Sequence, residues 1–157
     1  MSPTDRPLVS VVLPAYNEAA ILEQNVETII AYLDTLADRY RFEVLLVNDG
    51  SGDGTAEIAD RLAAKFDILT AIHHGTNFGL GQAFKTAFGR AQGDYVVTMD
   101  VDLSYSADHI EALLEKIRST PAKLVLASPY MKGGSISNVP GLRRVLSVYA
   151  NRFLSFF

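Results

Sequence analysis

The chain has 157 residues, 48% hydrophobic and 20% charged, with 14 basic against 18 acidic side chains and a net charge of −4. That length suits one domain with a buried core, because about 150 residues remove roughly 68–70% of the unfolded surface from water. The acidic balance argues against a general nucleic-acid binder, and the lack of cysteine excludes disulfides and thiolate metal or redox chemistry.

The amino terminus, MSPTDRPLVSVVLPAYNE, carries no secretory signal, since its apolar run is short and broken by Pro14. Nowhere do 18 apolar residues follow one another, so no transmembrane helix is expected within these residues. Residues 8–14, LVSVVLP, read as a buried strand: short, β-branched and closed by proline. Over 18–37, Ile21, Leu22, Val26, Ile29, Ile30 and Leu33 recur at helical spacing, which predicts an amphipathic helix. FEVLLVND (42–49) is a second strand. A turn at Ser51–Gly54 leads into a helix over 55–66 with Ile58 and Leu62 facing inward. ILTAIHH (68–74) is a third strand, 79–91 a helix, DYVVTMD (94–100) a fourth strand, 107–118 a helix and KLVLAS (123–128) a fifth strand. The closing stretch, VLSVYANRFLSFF, is apolar with Arg152 as its only charge and no stop signal. It predicts that the natural chain continues, and that this end associates with a membrane or with another copy of the chain.

Strands alternating with helices of a dozen residues predict βαβ units, hence an α/β fold with a mostly parallel, Rossmann-like sheet flanked by helices. Right-handed crossovers bring the loops after the strands to one edge, where open α/β sheets bind ligands. Four polar clusters fall there: residues 14–18, 48–51, 73–81 and 100–102.

Each cluster has a functional and a plainer reading. Asp100 and Asp102 stand two apart, so in extended backbone their carboxylates share a side. Such a pair suits Mg²⁺ or Mn²⁺. The plainer reading has Asp102 or Ser104 bonding turn amides. In VNDGSGDGT (47–55), Asp49 leaves a buried strand where it can meet a nucleobase or ribose, while Gly50, Gly52 and Gly54 free the backbone. Alternatively, Asp49 or Asp53 satisfies the turn. In PAYNE (14–18), Tyr16 offers a flat face and Glu18 stands at a helix start, unless Asn17 is simply the cap. Gly79 and Gly81 allow close backbone approach. Lys85, one turn on, either neutralises a phosphate or is solvated. His73 and His74 point to opposite faces of a strand, and one shared metal is not expected. Arg143 and Arg144 open an amphipathic stretch and can present bidentate contacts to a phosphate.

In this order, SVVLPAYNE, VNDGSGDGT, NFGLGQAFKTAFG and GDYVVTMDVDLS resemble the family 2 glycosyltransferases of the GT-A fold, most of all the polyprenyl-phosphate sugar transferases of the dolichol-phosphate mannose synthase type. The likeness spans essentially the whole chain, which it makes a single GT-A catalytic domain, 1–157, short of the family's acceptor and membrane side. It implies an inverting transfer of a sugar from a nucleotide-diphosphate donor to a lipid phosphate at the cytoplasmic face of a membrane. Mg²⁺ or Mn²⁺ would be held at an Asp-x-Asp motif, here Asp100-Val101-Asp102. Pro14, Ala15, Tyr16, Glu18, Asp49 and Gly50 match nucleoside-binding positions, and Gly79 and Lys85 lie near the donor. Arg143 and Arg144 match the family's pattern and, with Asp100 and Asp102, are the expected catalytic residues. Four places depart from the type: Ser104 replaces a glutamine often used as a further metal ligand, Tyr105-Ser106-Ala107-Asp108 replaces His-Pro-Pro-Glu, Ser128-Pro129-Tyr130 replaces Ser-Arg-Tyr, and Val148 replaces an arginine. A transferase acting on a saccharide hydroxyl for cell-wall or capsule glycans, which would need a general base, and a non-catalytic nucleotide-binding module are the two competing readings.

Overall fold

In a computed structural model, the structure describes residues 6–128. The chain divides after Val125 into two units, 1–125 and 126–157, and the account below concerns the first. Its elements are β1 (Leu8–Ala15), α1 (Leu22–Thr35), β2 (Arg41–Asn48), α2 (Thr55–Lys65), β3 (Leu69–His73), α3 (Leu80–Phe88), β4 (Tyr95–Thr98) and α4 (His109–Arg118). The strands form a parallel sheet in the order β3-β2-β1-β4.

Alternation along the strands feeds two cores. Val9, Val11, Leu13 and Ala15 of β1, with Val44 and Leu46 of β2, pack against α1, against Ala59 and Leu62 of α2, and against Ile110 and Leu114 of α4. The intervening residues Val12, Leu45, Val47 and Ile72 pack on the other face against Ala83 and Ala87 of α3. Truncating a fully buried leucine such as Leu13 or Leu46 to alanine costs about 2–5 kcal/mol. Among the described residues, no helix is long and apolar enough to cross a membrane.

The strand order creates the crevice. From β1 the chain adds β2 and then β3 on one side, then returns past β1 to lay β4 on the other. The direction of winding therefore reverses between β1 and β4, where ligands of open α/β sheets bind. Pro14 suits that position. The Asp49 amide bonds the Ala15 carbonyl and the Met99 amide bonds the Val12 carbonyl, so alternate residues of β1 face alternate neighbours. Pro14 thus faces the β4 side, where pairing ends at Thr98 and its missing N–H leaves no gap in a ladder.

Three sequence expectations change. Residues 123–128 form no strand among the described residues, and Leu124 stands 72% exposed. The apolar run suits a strand, but only backbone pairing makes one, and β4 has no described partner beyond it. The fourth strand stops at Thr98, leaving Asp100 outside it. Helix α1 begins at Leu22, with Ile21 before it and no side-chain cap, so Asn17 is not its cap, while the Glu18 carbonyl accepts from the Ile21 and Leu22 amides (3.0 and 2.9 Å) at its entry.

Candidate active site

A cavity of about 270 Å³ opens at the carboxyl ends of the strands, lined by Pro14, Ala15, Tyr16, Glu18, Asp49, Asn77, Gly79, Leu80, Ala83, Asp100, Val101 and Asp102. Three of the polar loops expected to converge there contribute acids, and the fourth, after β3, contributes Asn77 and Gly79.

The loop after β1 is knitted to the loop after β2. The Asn17 amide donates to Ser51 Oγ (2.9 Å), the Gly52 amide to Asn17 Oδ1 (2.9 Å) and the Glu18 amide to Thr55 Oγ1 (2.9 Å). Asn17 is held at φ 57, in the left-handed region that asparagine tolerates. Asp53 accepts from the Thr55 and Ala19 amides (3.0 and 3.1 Å), so it satisfies the turn as its plainer reading supposed. Tyr16, 48% exposed, presents its ring at the cavity. Among the described residues, the Glu18 Oε atoms have no such partners. Burial pushes the Glu18 carboxyl above its usual range, and the charges of Asp102, Asp53 and Asp100 push it further.

The loop after β4 is a turn, not extended chain, so the argument from extended spacing does not hold for Asp100 and Asp102. A different device brings them together. Val101 between them is buried in the core, and its carbonyl accepts from Asn25 Nδ2 of α1 (2.9 Å). That anchor leaves both neighbouring aspartates on the cavity wall. Asp102 accepts from the Ser104 amide (2.8 Å) and from Ser104 Oγ (2.7 Å), which is the turn bonding of its plainer reading. Each carboxylate oxygen keeps a second lone pair for another ligand. Leu103 is held at φ 54, a strained conformation for leucine of the kind that gathers at functional sites. Burial, then the Asp102 charge, pushes the Asp100 carboxyl up.

Asp49 is the opposite case. It is buried, and its Oδ1 accepts from His74 Nδ1 (2.6 Å) and the Phe78 amide (3.0 Å), while Oδ2 accepts from the Gly79 amide (2.7 Å). Burial alone would raise its pKa, but His74 and the two amides outweigh it and hold the carboxyl below its usual value. Gly50, expected to touch the nucleoside, is instead a packing position off the cavity. It sits at φ 67, and a Cβ there would lie 2.2 Å from the Thr76 carbonyl carbon. Gly79 does line the cavity, at φ 87, a conformation open to glycine at no steric cost. Lys85 is exposed and absent from the lining. It lies two residues beyond Ala83, hence about 200° around α3 from the face that lines the cavity. Arg143 and Arg144 lie outside the described residues.

A divalent cation fits this donor set. Mg²⁺ and Mn²⁺ take oxygen ligands, usually one or two carboxylates with the rest from water and substrate phosphates. Among the described residues no three acidic or imidazole groups enclose a cation unaided, in keeping with that pattern. The raised Glu18 and Asp100 carboxyls mark negative charge that a cation would relieve, and among the described residues no lysine or arginine lines the cavity.

Spacing did not reveal Asn25, His74, Asn77, Leu80 or Ala83. Asn77 and Leu80 stand within NFGLGQ, but Asn25 and His74 gain their roles from contacts 76 and 25 residues away.

Comparison with known proteins places this geometry. The profile of glycosyl transferase family 2 matches residues 10–155. The polyprenol monophosphomannose synthase of Mycolicibacterium smegmatis is 35% identical over 158 residues, 98% of this chain and 56% of that protein. The dolichol-phosphate mannosyltransferase of Pyrococcus furiosus is 33% identical over 139 residues, 88% of this chain and 38% of that protein. Among solved structures, the mannosyltransferase PcManGT of Pyrobaculum calidifontis, in complex with GDP-Man and Mn²⁺, superposes with a TM-score of 0.60 at 34% identity, covering 72% of this chain and 33% of that one. The chain therefore spans less than two thirds of the length of each.

Proposed function

This chain belongs to glycosyl transferase family 2, and from that premise we propose that it moves a sugar, with inversion, from a nucleotide-diphosphate donor to a polyprenyl phosphate at the cytoplasmic face of a membrane. The observation that carries the reading is the meeting of Glu18, Asp100 and Asp102 with Tyr16 and Asp49 on one cavity at the β1/β4 crevice.

Asp100 and Asp102 hold the cation side of the donor, with Mg²⁺ or Mn²⁺ supplying Lewis-acid neutralisation of the charge that grows on the departing nucleoside diphosphate. Tyr16, Pro14 and Ala15 form the wall against which the nucleoside rests. The Asp49 carboxylate stands at the same wall, with both oxygens already engaged and lone pairs left for one further donor. The cavity, about 270 Å³, is just under the roughly 300–1,000 Å³ of whole small-molecule sites, a fit for the nucleoside end of the donor. A phosphate acceptor is already anionic, so the described residues need supply no strong general base. The lipid acceptor is supported by the names of the relatives from P. furiosus and M. smegmatis, and Arg143 and Arg144 are assigned to its phosphate.

Calorimetry with UDP, GDP and their sugars, with and without Mn²⁺, tests the donor side. Metal-dependent binding of one of them is expected, and no such binding of any would overturn the reading. Incubating the protein with donor and either polyprenyl phosphate or a saccharide acceptor tests the acceptor: product is expected on the lipid phosphate alone.

A further inference from the structure

The consecutive histidines of the third strand and its exit, His73 and His74, reach the consecutive polar residues at the end of β2 from opposite faces of the sheet. His73 Nδ1 lies 3.1 Å from Asn48 Nδ2, and its Nε2 lies 3.0 Å from Asp60 Oδ1 on α2. Asn48 Oδ1 is taken by the Ser51 amide (3.1 Å), so the Asn48 amide group donates and His73 Nδ1 accepts. The His73 proton therefore sits on Nε2, toward Asp60. On the other face, His74 Nδ1 meets Asp49 Oδ1 at 2.6 Å and Nε2 meets Thr86 Oγ1 at 2.9 Å. A carboxylate only accepts, so His74 carries its proton on Nδ1. Two adjacent histidines thus hold their protons on opposite ring nitrogens, each dictated by its partner.

His74 has no place in the chemistry assigned above, yet its contacts surround the site. Its side chain is 10% exposed, its ring meets Phe78 edge-on at 5.4 Å, and its backbone amide bonds the Asn48 carbonyl at 2.9 Å. Through Asp49 it acts on the Phe78 and Gly79 amides, and Gly79 with Asn77 forms one cavity wall. Through Thr86 it grips α3, whose Leu80 and Ala83 line the same wall.

We propose that His74 is a positioning residue of the donor site, whose Nδ1–H fixes the Asp49 carboxylate so that Asp49 in turn holds the Phe78–Gly79 backbone as the cavity wall. This rests on the donor-binding reading above. Without that proton the carboxylate keeps only the Phe78 and Gly79 amides as donors, and nothing fixes its orientation from the His74 side. Hydrogen bonds that lose their alignment weaken, so the loop shifts and the wall with it.

The test compares wild type with His74→Ala, His74→Asn and Thr86→Val, by calorimetry with GDP and UDP in Mn²⁺ and by amide NMR of each ligand-free protein. Each is measured at a temperature where circular dichroism shows it folded. His74→Ala is expected to weaken whichever nucleotide binds by roughly tenfold or more and to shift the Phe78 and Gly79 amide resonances. His74→Asn, whose side-chain N–H can stand near the lost Nδ1–H, is expected to restore most of both. Thr86→Val is expected to lose only a few-fold, since α3 is also held by Ala83 and Ala87. Nitrogen-15 shifts should show His74 protonated at Nδ1 and His73 at Nε2. Unchanged affinity and unchanged Phe78 and Gly79 resonances in His74→Ala would overturn the proposal, as would equal weakening in the alanine and asparagine variants. If wild type binds neither nucleotide, the donor reading fails. The resonances and the asparagine rescue still decide whether His74 positions the loop.

Discussion

The two sides of the cavity are built on opposite electrostatic terms. On the β2–β3 side, Asn48, Asp49, His73 and His74 satisfy one another, and the Asp49 carboxyl is held below its usual value by His74 and two amides that outweigh burial. On the β1–β4 side, Glu18 and Asp100 are pushed up by burial and by neighbouring acids, with no basic residue on the cavity lining among the described residues. The first side is complete in the protein alone. The second carries repulsion that a cation would relieve. On the proposed function, recognition would rest on the first side and charge neutralisation on the second.

The sharpest way to break the comparison is Asp100→Ala. It should lower sugar transfer by roughly a thousandfold, the scale of losing a group aimed at developing charge, and abolish Mn²⁺-dependent nucleotide binding by calorimetry. Asp49→Ala attacks the other side. It should cost about 3 kcal/mol of folding stability, because His74 and two amides lose their acceptor, and urea denaturation would register this as a lower midpoint with or without metal. Gly50→Ala should cost about 2 kcal/mol, since its Cβ would overlap the Thr76 backbone and its φ is positive.

The smallest effect has the opposite sign. Asp100→Asn should raise the Tm of the metal-free protein slightly at neutral pH, by removing one of the repelling charges, while losing the stabilisation by Mn²⁺ expected of wild type. Titration separates the sides again. Asp49 has a depressed carboxyl, so its contribution is present above its ordinary value of 3.8 and is lost as pH falls through the native value below it. Asp100 is raised, so it favours the folded state below 3.8 and loses that contribution as pH rises through its elevated native value. Asp100→Asn should therefore show its largest gain over wild type at neutral pH, and that gain should vanish as pH falls to 3.8, with no earlier acid unfolding. Asp49→Asn should flatten the low-pH limb. Both are read by circular dichroism from pH 2 to 7.

Much of the site was legible because its residues announce themselves by type and place. Tyr16, Glu18, Asp49, Gly79, Asp100 and Asp102 all follow strands, and all line the cavity. Where the reading failed, the cause was a contact outside the local pattern. Gly50 looks like a ligand-approach glycine but makes room for Thr76. Lys85 stands close to Gly79 along the chain, yet the turn of α3 carries it off the cavity face. The apolar run at 123–128 has a strand's composition and forms no strand among the described residues.

By itself, the sequence determined the alternation of strand and helix, the parallel sheet and the presence of acid-bearing loops at its carboxyl edge. Those follow from side-chain periodicity and turn chemistry, which act within a few residues. The order β3-β2-β1-β4, the crevice it opens beside Pro14, and the choice of His74 as partner for Asp49 were decided only in the folded chain. Strand order sets which loops meet, and a buried polar group bonds whatever donor the fold brings within about 3 Å, however far away that donor lies along the chain.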